Sequence, residues 1–156
     1  MAEHGWTCEC IRCREVGMND AEPDDLELDV LTYEAAGGTE QFISIEDFDR
    51  DLLVGFCRLR FPDSPSRPEL QDAALVRELH VYGDEVGVGS ETPSGSEASA
   101  HQHTGHGRRL LGEAERIARD AGYGKLAVIS GIGVRQYYRE KLCYYQDGPY
   151  VSTQLE

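Results

Sequence analysis

Three cysteines lie within six residues near the start of the chain, at Cys8, Cys10 and Cys13. Thiolates at this spacing suit a zinc ion, because a knuckle turn brings them to one point, but structural zinc takes four ligands. The fourth ligand is open: His4 is near in sequence, and a distant histidine or cysteine is the alternative. Unmetallated thiols packed in a loop are the competing interpretation. The odd total of five cysteines argues against a disulfide framework.

A second group with chemical potential is the string Gln-His-Thr-Gly-His-Gly-Arg-Arg at residues 102–109. It stands between a polar stretch and an apolar pattern of helical spacing. Glycines let the backbone approach a ligand closely, and the free N–H groups at a helix start attract phosphate. We interpret the string as a pyrophosphate-binding turn that opens a helix near Gly105, with a plain loop-to-helix junction as the alternative.

The third group with chemical potential is the pair Glu78 and His80. These residues alternate with Leu79 and Val81 in the mainly apolar run at residues 73–82. Alternation puts both side chains on one face of a strand. There a carboxylate and an imidazole are suited to act as a base or to orient a substrate. A buried, hydrogen-bonded histidine is the more ordinary interpretation of His80.

The hydrophobic pattern predicts the elements that position these groups. Alternating or apolar runs predict strands at residues 26–33, 41–45, 52–61, 73–82 and 125–129. Helical spacing predicts a helix from Gly105 to a stop at Gly122, and a short helix at residues 134–141. A polar loop is expected at residues 83–100. A strand pair at residues 144–153 completes one mixed α/β domain.

The composition is strongly acidic, with a net charge of −14 from 29 acidic and 15 basic residues. Such a surface stays hydrated in high salt, which suggests a salt-adapted source such as an archaeon; an ordinary acidic cytosolic protein is the alternative. The overall field repels polyanions, so any RNA contact must be local. Because no long apolar stretch or secretory signal is present, we expect a cytoplasmic protein without membrane contact.

Four strings resemble one protein family, the catalytic subunit of Elongator, over residues 8–150. They are Cys-x-Cys-Ile-Arg-Cys-Arg-Glu-Val-Gly, Val-Arg-Glu-Leu-His-Val-Tyr-Gly, Gly-Glu-Ala-Glu-Arg-Ile-Ala-Arg and Ala-Val-Ile-Ser-Gly-Ile-Gly-Val-Arg-Gln-Tyr-Tyr-Arg. The resemblance implies a GCN5-related N-acetyltransferase fold: a mixed, mostly antiparallel sheet flanked by helices, with an N-terminal cysteine knuckle. It also implies a V-shaped opening between the strands at 74–82 and 125–129. Departures from the family are His106 in place of an aromatic residue, Glu140 as an insertion, and Cys143 in place of a glycine.

The resemblance assigns acetyl-CoA as cofactor and carries site residues onto this sequence. The strand that pairs with the pantetheine arm would be Glu78, Leu79, His80 and Val81. The pyrophosphate turn would be Gln102, Gly105, His106, Gly107, Arg108 and Arg109. Tyr138 matches the tyrosine near the thioester sulfur, where a phenol can protonate the leaving thiolate. Simple packing of Tyr138 on the sheet is the alternative, and Glu78 and His80 are weaker catalytic candidates. Cys57 and Cys143 are expected to be core residues.

Three hypotheses on function follow from the resemblance. The first is an acetyl-CoA-binding acetyltransferase domain that forms carboxymethyluridine at the tRNA wobble position with a radical S-adenosylmethionine partner domain. The second is a free-standing acetyltransferase that acts on a protein or small-molecule amine. The third is a non-catalytic, zinc-stapled module that docks tRNA or a subunit. Residues 1–17 would form the zinc-knuckle-like segment, and residues 18–156 the acetyltransferase domain.

Overall fold

The computed structural model describes residues 8–19, 22–82 and 97–156, with only the backbone described for 97–104. Seven strands form one sheet in the order β1-β2-β3-β4-β5-β7-β6. The strands are β1 (Glu27–Glu34), β2 (Gly38–Asp47), β3 (Leu52–Pro62), β4 (Ala73–Val81), β5 (Lys125–Val128), β6 (Tyr145–Asp147) and β7 (Tyr150–Gln154). The helices are α1 (Ile11–Arg14), α2 (Glu97–Asp120) and α3 (Arg135–Lys141).

The first four strands form an antiparallel meander, as their alternating pattern predicts. A tight turn joins β1 to β2 through Ala36 and Gly37, which both have positive φ angles, of 46° and 69°. Turns of this kind match the right-handed twist of paired strands. The turn fixes the register between β1 and β2.

The order changes after β4, because α2 crosses over and returns the chain in β5, parallel to β4. Strand β7 then pairs antiparallel with β5, and β6 forms the edge. Helix α2 packs Leu110, Leu111, Ala114 and Ala118 on one face of the sheet, and these four side chains are buried. The predicted mixed α/β sheet flanked by helices is confirmed.

The start of α2 differs from the sequence prediction. The helix begins at Glu97, eight residues before the predicted start at Gly105. The residues before Gly105 include good helix formers, and a glycine inside a helix costs only about 1 kcal/mol relative to alanine. Packing of the apolar stripe farther along the helix is large enough to offset that cost. Of the loop predicted at 83–100, residues 83–96 lie outside the described residues and the remainder is helical.

The two cysteines predicted to be core residues have different surroundings. Cys57 on β3 is fully buried, which confirms the prediction. Cys143 is exposed, so that prediction is wrong. It follows α3 with a φ angle of 59°, the left-handed conformation that commonly ends a helix. The chain therefore turns away from the core at this residue, although its neighbours Leu142 and Tyr144 are apolar.

Among the described residues, no helix has the length and apolar character needed to cross a membrane.

Candidate active site

The sheet opens where β4 outlasts its parallel neighbour β5. Pairing between them ends at Val76 and Val128, and the last bond runs from the Ile129 N–H to the Val76 carbonyl at 2.9 Å. Strand β4 continues to Val81, and no strand from the described part of the chain lies on that side. The result is a gap between the carboxyl ends of two parallel strands. We refer to it below as the β4–β5 gap.

A β-bulge in β4 determines which peptide groups face this gap. Glu78 lies opposite Arg58, but Val76 lies opposite Leu59, so Arg77 is an extra residue on β4. Such a bulge shifts the alternation of the strand by one residue. Because Arg77 directly follows Val76, where pairing with β5 ends, the bulge lies at the inner end of the β4–β5 gap.

Leu79 and Val81 present their peptide groups to the gap. The Tyr82 N–H donates to the Val54 carbonyl of β3 at 2.8 Å, so His80, two residues earlier, also bonds toward β3. The peptide groups of the residues in between point the other way, where no strand among the described residues pairs with them. Within the described parts of the chain, two of the four residues predicted to pair with pantetheine thus offer N–H and C=O groups that no strand uses.

Glu78 and His80 share one face of β4, as the alternation predicts. Glu78 approaches Arg58, with 3.4 Å between Oε2 and Nε, and the His80 ring lies 5.2 Å from the Phe56 ring centroid. This face is turned away from α2 and α3. We call it the open face, and near the bulge it consists of Phe42, Phe56, Arg58, Arg77, Glu78 and His80. The imidazole is exposed, so the interpretation of a buried histidine is wrong.

Tyr138 lies on the opposite side of the sheet, in the core beneath α3. Only 6% of the residue is exposed, and its ring packs 5.6 Å from that of Tyr144. Burial, with smaller contributions from Cys57 and Tyr137, raises the pKa of the Tyr138 phenol to about 12. The phenol is therefore a neutral proton donor at neutral pH. Tyr138 does pack on the sheet, as the alternative interpretation expected, and this packing is also what raises the pKa of the phenol.

Ser130 is a functional candidate that the sequence analysis did not single out. It follows β5 at the edge of the gap, and its Oγ is buried without a hydrogen-bond partner among the described residues. A buried hydroxyl without a partner is costly, which points to a ligand that supplies one. Together with the free peptide groups of Leu79 and Val81, it fits the amide-bearing pantetheine arm of acetyl-CoA. The sequence signal that could have identified Ser130 is its place in the string Ala-Val-Ile-Ser-Gly-Ile-Gly, which is part of the family resemblance.

The predicted pyrophosphate turn lies beside the gap but inside a helix. A Cβ added to Gly107 would lie 3.7 Å from Val81 Cγ2, so this turn of α2 adjoins the end of β4. Arg108 donates to the Lys141 carbonyl at 3.0 Å, and Arg109 is exposed. His106 is partly buried, and of Gln102 only the helical backbone is described. Inside an α-helix the N–H groups at residues 105–109 bond to carbonyls four residues earlier. In this conformation these N–H groups are bonded within the helix.

The cysteine knuckle is brought together as predicted. The three sulfur atoms of Cys8, Cys10 and Cys13 lie within 4.8 Å of one another. The backbone N–H of Cys13 and the two neighbouring thiols lower the pKa of Cys10 to about 7, while donation to Cys10 raises the pKa of Cys13 to about 11. Three thiols at this separation fit a zinc ion. No fourth ligand joins them in the described part of the chain, and His4 lies outside it.

Arg14 fixes the knuckle to the sheet. Its guanidinium bonds to the buried Glu46 of β2 and to Asp51, the latter at 2.5 Å. Glu15 adds a backbone bridge to Leu53 of β3. The knuckle therefore has a defined position relative to the sheet.

A hollow of about 700 Å³ beside α3 contains none of the predicted site residues. It is lined by Arg135, Arg139, Tyr144 and Tyr145, among others. We place the site in the β4–β5 gap instead, because the strand predicted to pair with pantetheine and the unpartnered Ser130 hydroxyl are there.

The fold and the gap define a class of protein. A mixed seven-stranded sheet that opens between its parallel pair, with the long helix on one face, is the architecture expected of GCN5-related acetyltransferases. That prediction of the fold is confirmed.

Comparison with known proteins is more specific. The chain is 48% identical to Elongator complex protein 3 of Drosophila melanogaster and 47% identical to a tRNA uridine(34) acetyltransferase of Methanocaldococcus jannaschii, over its whole length. It covers only 28% and 29% of those proteins, in their C-terminal region. A solved structure of Methanocaldococcus infernus Elp3 with an N-terminal deletion superimposes with a TM-score of 0.84 at 45% identity, over 99% of this chain and 37% of that one. No protein-family model matches the chain.

Proposed function

We propose that this chain is the acetyl-CoA-binding acetyltransferase domain of an Elongator-like system that forms carboxymethyluridine at the tRNA wobble position. The observation that carries the proposal is the bulged β4, which leaves the peptide groups of Leu79 and Val81 free at a gap that also contains the unpartnered Ser130 hydroxyl. The similarity to tRNA uridine(34) acetyltransferases supports the same activity. A radical S-adenosylmethionine domain or subunit would be the partner, in the cytoplasm.

The residues on the two sides of the sheet have complementary roles in this proposal. Bound acetyl-CoA would supply an activated acetyl thioester. Tyr138, on the helix side, keeps its proton at neutral pH and donates it to the sulfur as the carbon–sulfur bond breaks. Glu78 and His80, on the open face, would accept the proton of the water molecule that attacks the thioester carbonyl, so that CoA leaves as the thiol and the acyl carbon becomes a carboxylate. The pantetheine would lie between them, against Leu79, Val81 and Ser130.

The charge of the open face favours a phosphate-bearing acceptor over an amine. Arg58 and Arg77 flank Glu78, and their side chains are 31% and 42% exposed. Within the described residues the buried Nε of Arg58 makes no hydrogen bond, and its nearest charged neighbour is Glu78 Oε2 at 3.4 Å. The linked charges are three arginines, Arg58, Arg60 and Arg77, and two carboxylates, Glu40 and Glu78. The one net positive charge favours phosphate over a protonated amine. The patch is a local exception in a chain of net charge −14. It supports tRNA, rather than an amine, as the acceptor.

The test of the proposal is acetyl-CoA binding followed by thiol release, with and without tRNA. We expect the chain to bind acetyl-CoA in calorimetry and tRNA to stimulate release of CoA. High-salt buffer suits the acidic surface, since salt screens its self-repulsion. Acetylation of an added amine without any tRNA effect would favour the free-standing enzyme, and binding without cleavage would favour the docking module. Absence of binding would overturn the proposal.

Zinc is the second cofactor of the proposal, held by Cys8, Cys10 and Cys13. We expect the purified chain to contain one Zn²⁺ per molecule and Cys13→Ser to lose it, because two remaining thiolates do not make a structural site. Zinc is measured by release to a chromogenic chelator. Cys143→Ser is the matched control, since it removes an exposed thiol outside the cluster. Equal zinc content in both variants would contradict the assignment.

A further inference from the structure

Glu40 on β2 is a buried carboxylate with an unusual number of partners. Only 2% of the residue is exposed. It accepts hydrogen bonds from Arg60 at 3.0 Å, from Tyr33 at 3.1 Å, and from Arg77. A buried carboxylate is stable only when its charge is paired and its oxygen atoms are bonded, and here both conditions are met.

One of these partners is the extra residue of the bulge. Arg77 is the residue on β4 that has no pairing partner on β3, and its guanidinium bonds to Glu40 across β3. Strand β2 does not otherwise pair with β4. The Glu40–Arg77 ion pair is therefore a direct tie between a buried charge and the bulge.

The bulge determines the alternation of the strand beyond it. The Val76 carbonyl faces β5, where it accepts the Ile129 N–H. Without an extra residue, the next peptide groups on that side would belong to Glu78 and His80; with Arg77 added, they belong to Leu79 and Val81. Loss of the bulge would thus change the row of groups that faces the gap. It would also move Glu78 from its position opposite Arg58.

Arg60 anchors the other end of this network. Besides Glu40, its guanidinium donates to the carbonyls of Ala35 at 2.9 Å and Ala36 at 2.6 Å, in the turn between β1 and β2. Glu40 therefore accepts a hydrogen bond from Arg60, which is fixed to the β1–β2 turn, and another from Arg77 on β4. A rigid support of this kind is what positions groups in a binding site.

We propose that Glu40 is a positioning residue for acetyl-CoA: through Arg77 it holds the β4 bulge that turns the Leu79 and Val81 peptide groups into the gap. This inference rests on the proposed function. Glu40 itself lies on the open side of the sheet, away from Tyr138, and has no part in the chemistry. Its effect should appear in acetyl-CoA affinity.

The experiment compares Glu40→Gln with Asp47→Asn in the full chain. Asp47 is a matched control because it is also on β2, buried and paired with an arginine, Arg50, and its hydrogen bonds and ion pairs within the described residues do not involve β4. We expect both variants to lose stability against urea. Only Glu40→Gln should raise the Kd and KM for acetyl-CoA, by about tenfold, because small displacements of positioning groups have effects of this order.

A second variant keeps the proposal testable if Glu40→Gln does not fold. Arg77→Gln removes the tie while Glu40 keeps Arg60 and Tyr33, and we expect the same loss of affinity. In the double variant the two losses should not add, because both remove one interaction. If wild type binds acetyl-CoA and Arg77→Gln binds it equally well, the inference is wrong. If wild type does not bind, the proposed function fails instead.

Discussion

Replacement of Tyr138 by phenylalanine is expected to slow thioester cleavage by about a hundredfold or more, with acetyl-CoA affinity changed less than about twofold. The family resemblance assigns this phenol to the thioester sulfur, and burial keeps it neutral. Phenylalanine preserves the ring and its packing against Tyr144. The loss should therefore appear in kcat, measured by thiol release at saturating acetyl-CoA.

Tyr137→Phe is the control, because Tyr137 is the neighbouring phenol on α3 and is only half-buried. We expect it to retain wild-type kcat. Equal rates for wild type and Tyr138→Phe would remove Tyr138 from the chemistry and leave the packing role alone.

The raised pKa of Tyr138 also has a pH consequence. An ordinary tyrosine is about half ionised at pH 10, whereas a phenol with a pKa of about 12 keeps its proton there. The donor is thus retained across the neutral and mildly alkaline range. Because the folded state favours the protonated phenol, its contribution to stability is complete below pH 10 and is lost as the pH rises through 12.

The alternating segments of this sequence predicted the fold well, and one of them contained the bulge. In β4 the order is apolar Val76, polar Arg77, polar Glu78, apolar Leu79. Two successive polar residues in an alternating strand are the local signal of an extra residue, because both must lie on the same face. The partners of Arg77 were not predictable, since Glu40 is 37 positions away and is paired only by the sheet register.

Two other features escaped prediction for different reasons. Helix α2 starts earlier than predicted because glycines mark a helix boundary only weakly: their cost is small compared with continued packing of a long helix. Cys143 was placed in the core because its neighbours are apolar. The family glycine at that position was the better signal, since it indicates a left-handed residue after α3.

Because residues 105–109 are helical, Gly107→Ala is a decisive variant. We expect it to raise the stability of α2 and, if the turn binds pyrophosphate, to lower the affinity for acetyl-CoA. Alanine should stabilise α2 by about 0.5–1 kcal/mol, because glycine is a poor helix former. The added Cβ meets only Val81 Cγ2, at the ordinary contact distance of 3.7 Å, so no clash opposes this gain. If the turn also binds pyrophosphate, the helix must begin near Gly105 in the complex. Alanine then resists that change and places a methyl group where the backbone meets the ligand, so acetyl-CoA affinity should fall by about tenfold or more.

Gly112→Ala separates these two effects. Gly112 lies in the same helix, and a Cβ there meets nothing within 4 Å. It should give the same gain in urea stability and leave the calorimetric Kd for acetyl-CoA unchanged. If Gly107→Ala behaves like Gly112→Ala, the helix seen here persists in the complex and the pyrophosphate must bind elsewhere. If only Gly107→Ala loses affinity, the first two turns of α2 unwind to admit the cofactor, and the free N–H groups predicted from the glycine string are formed on binding.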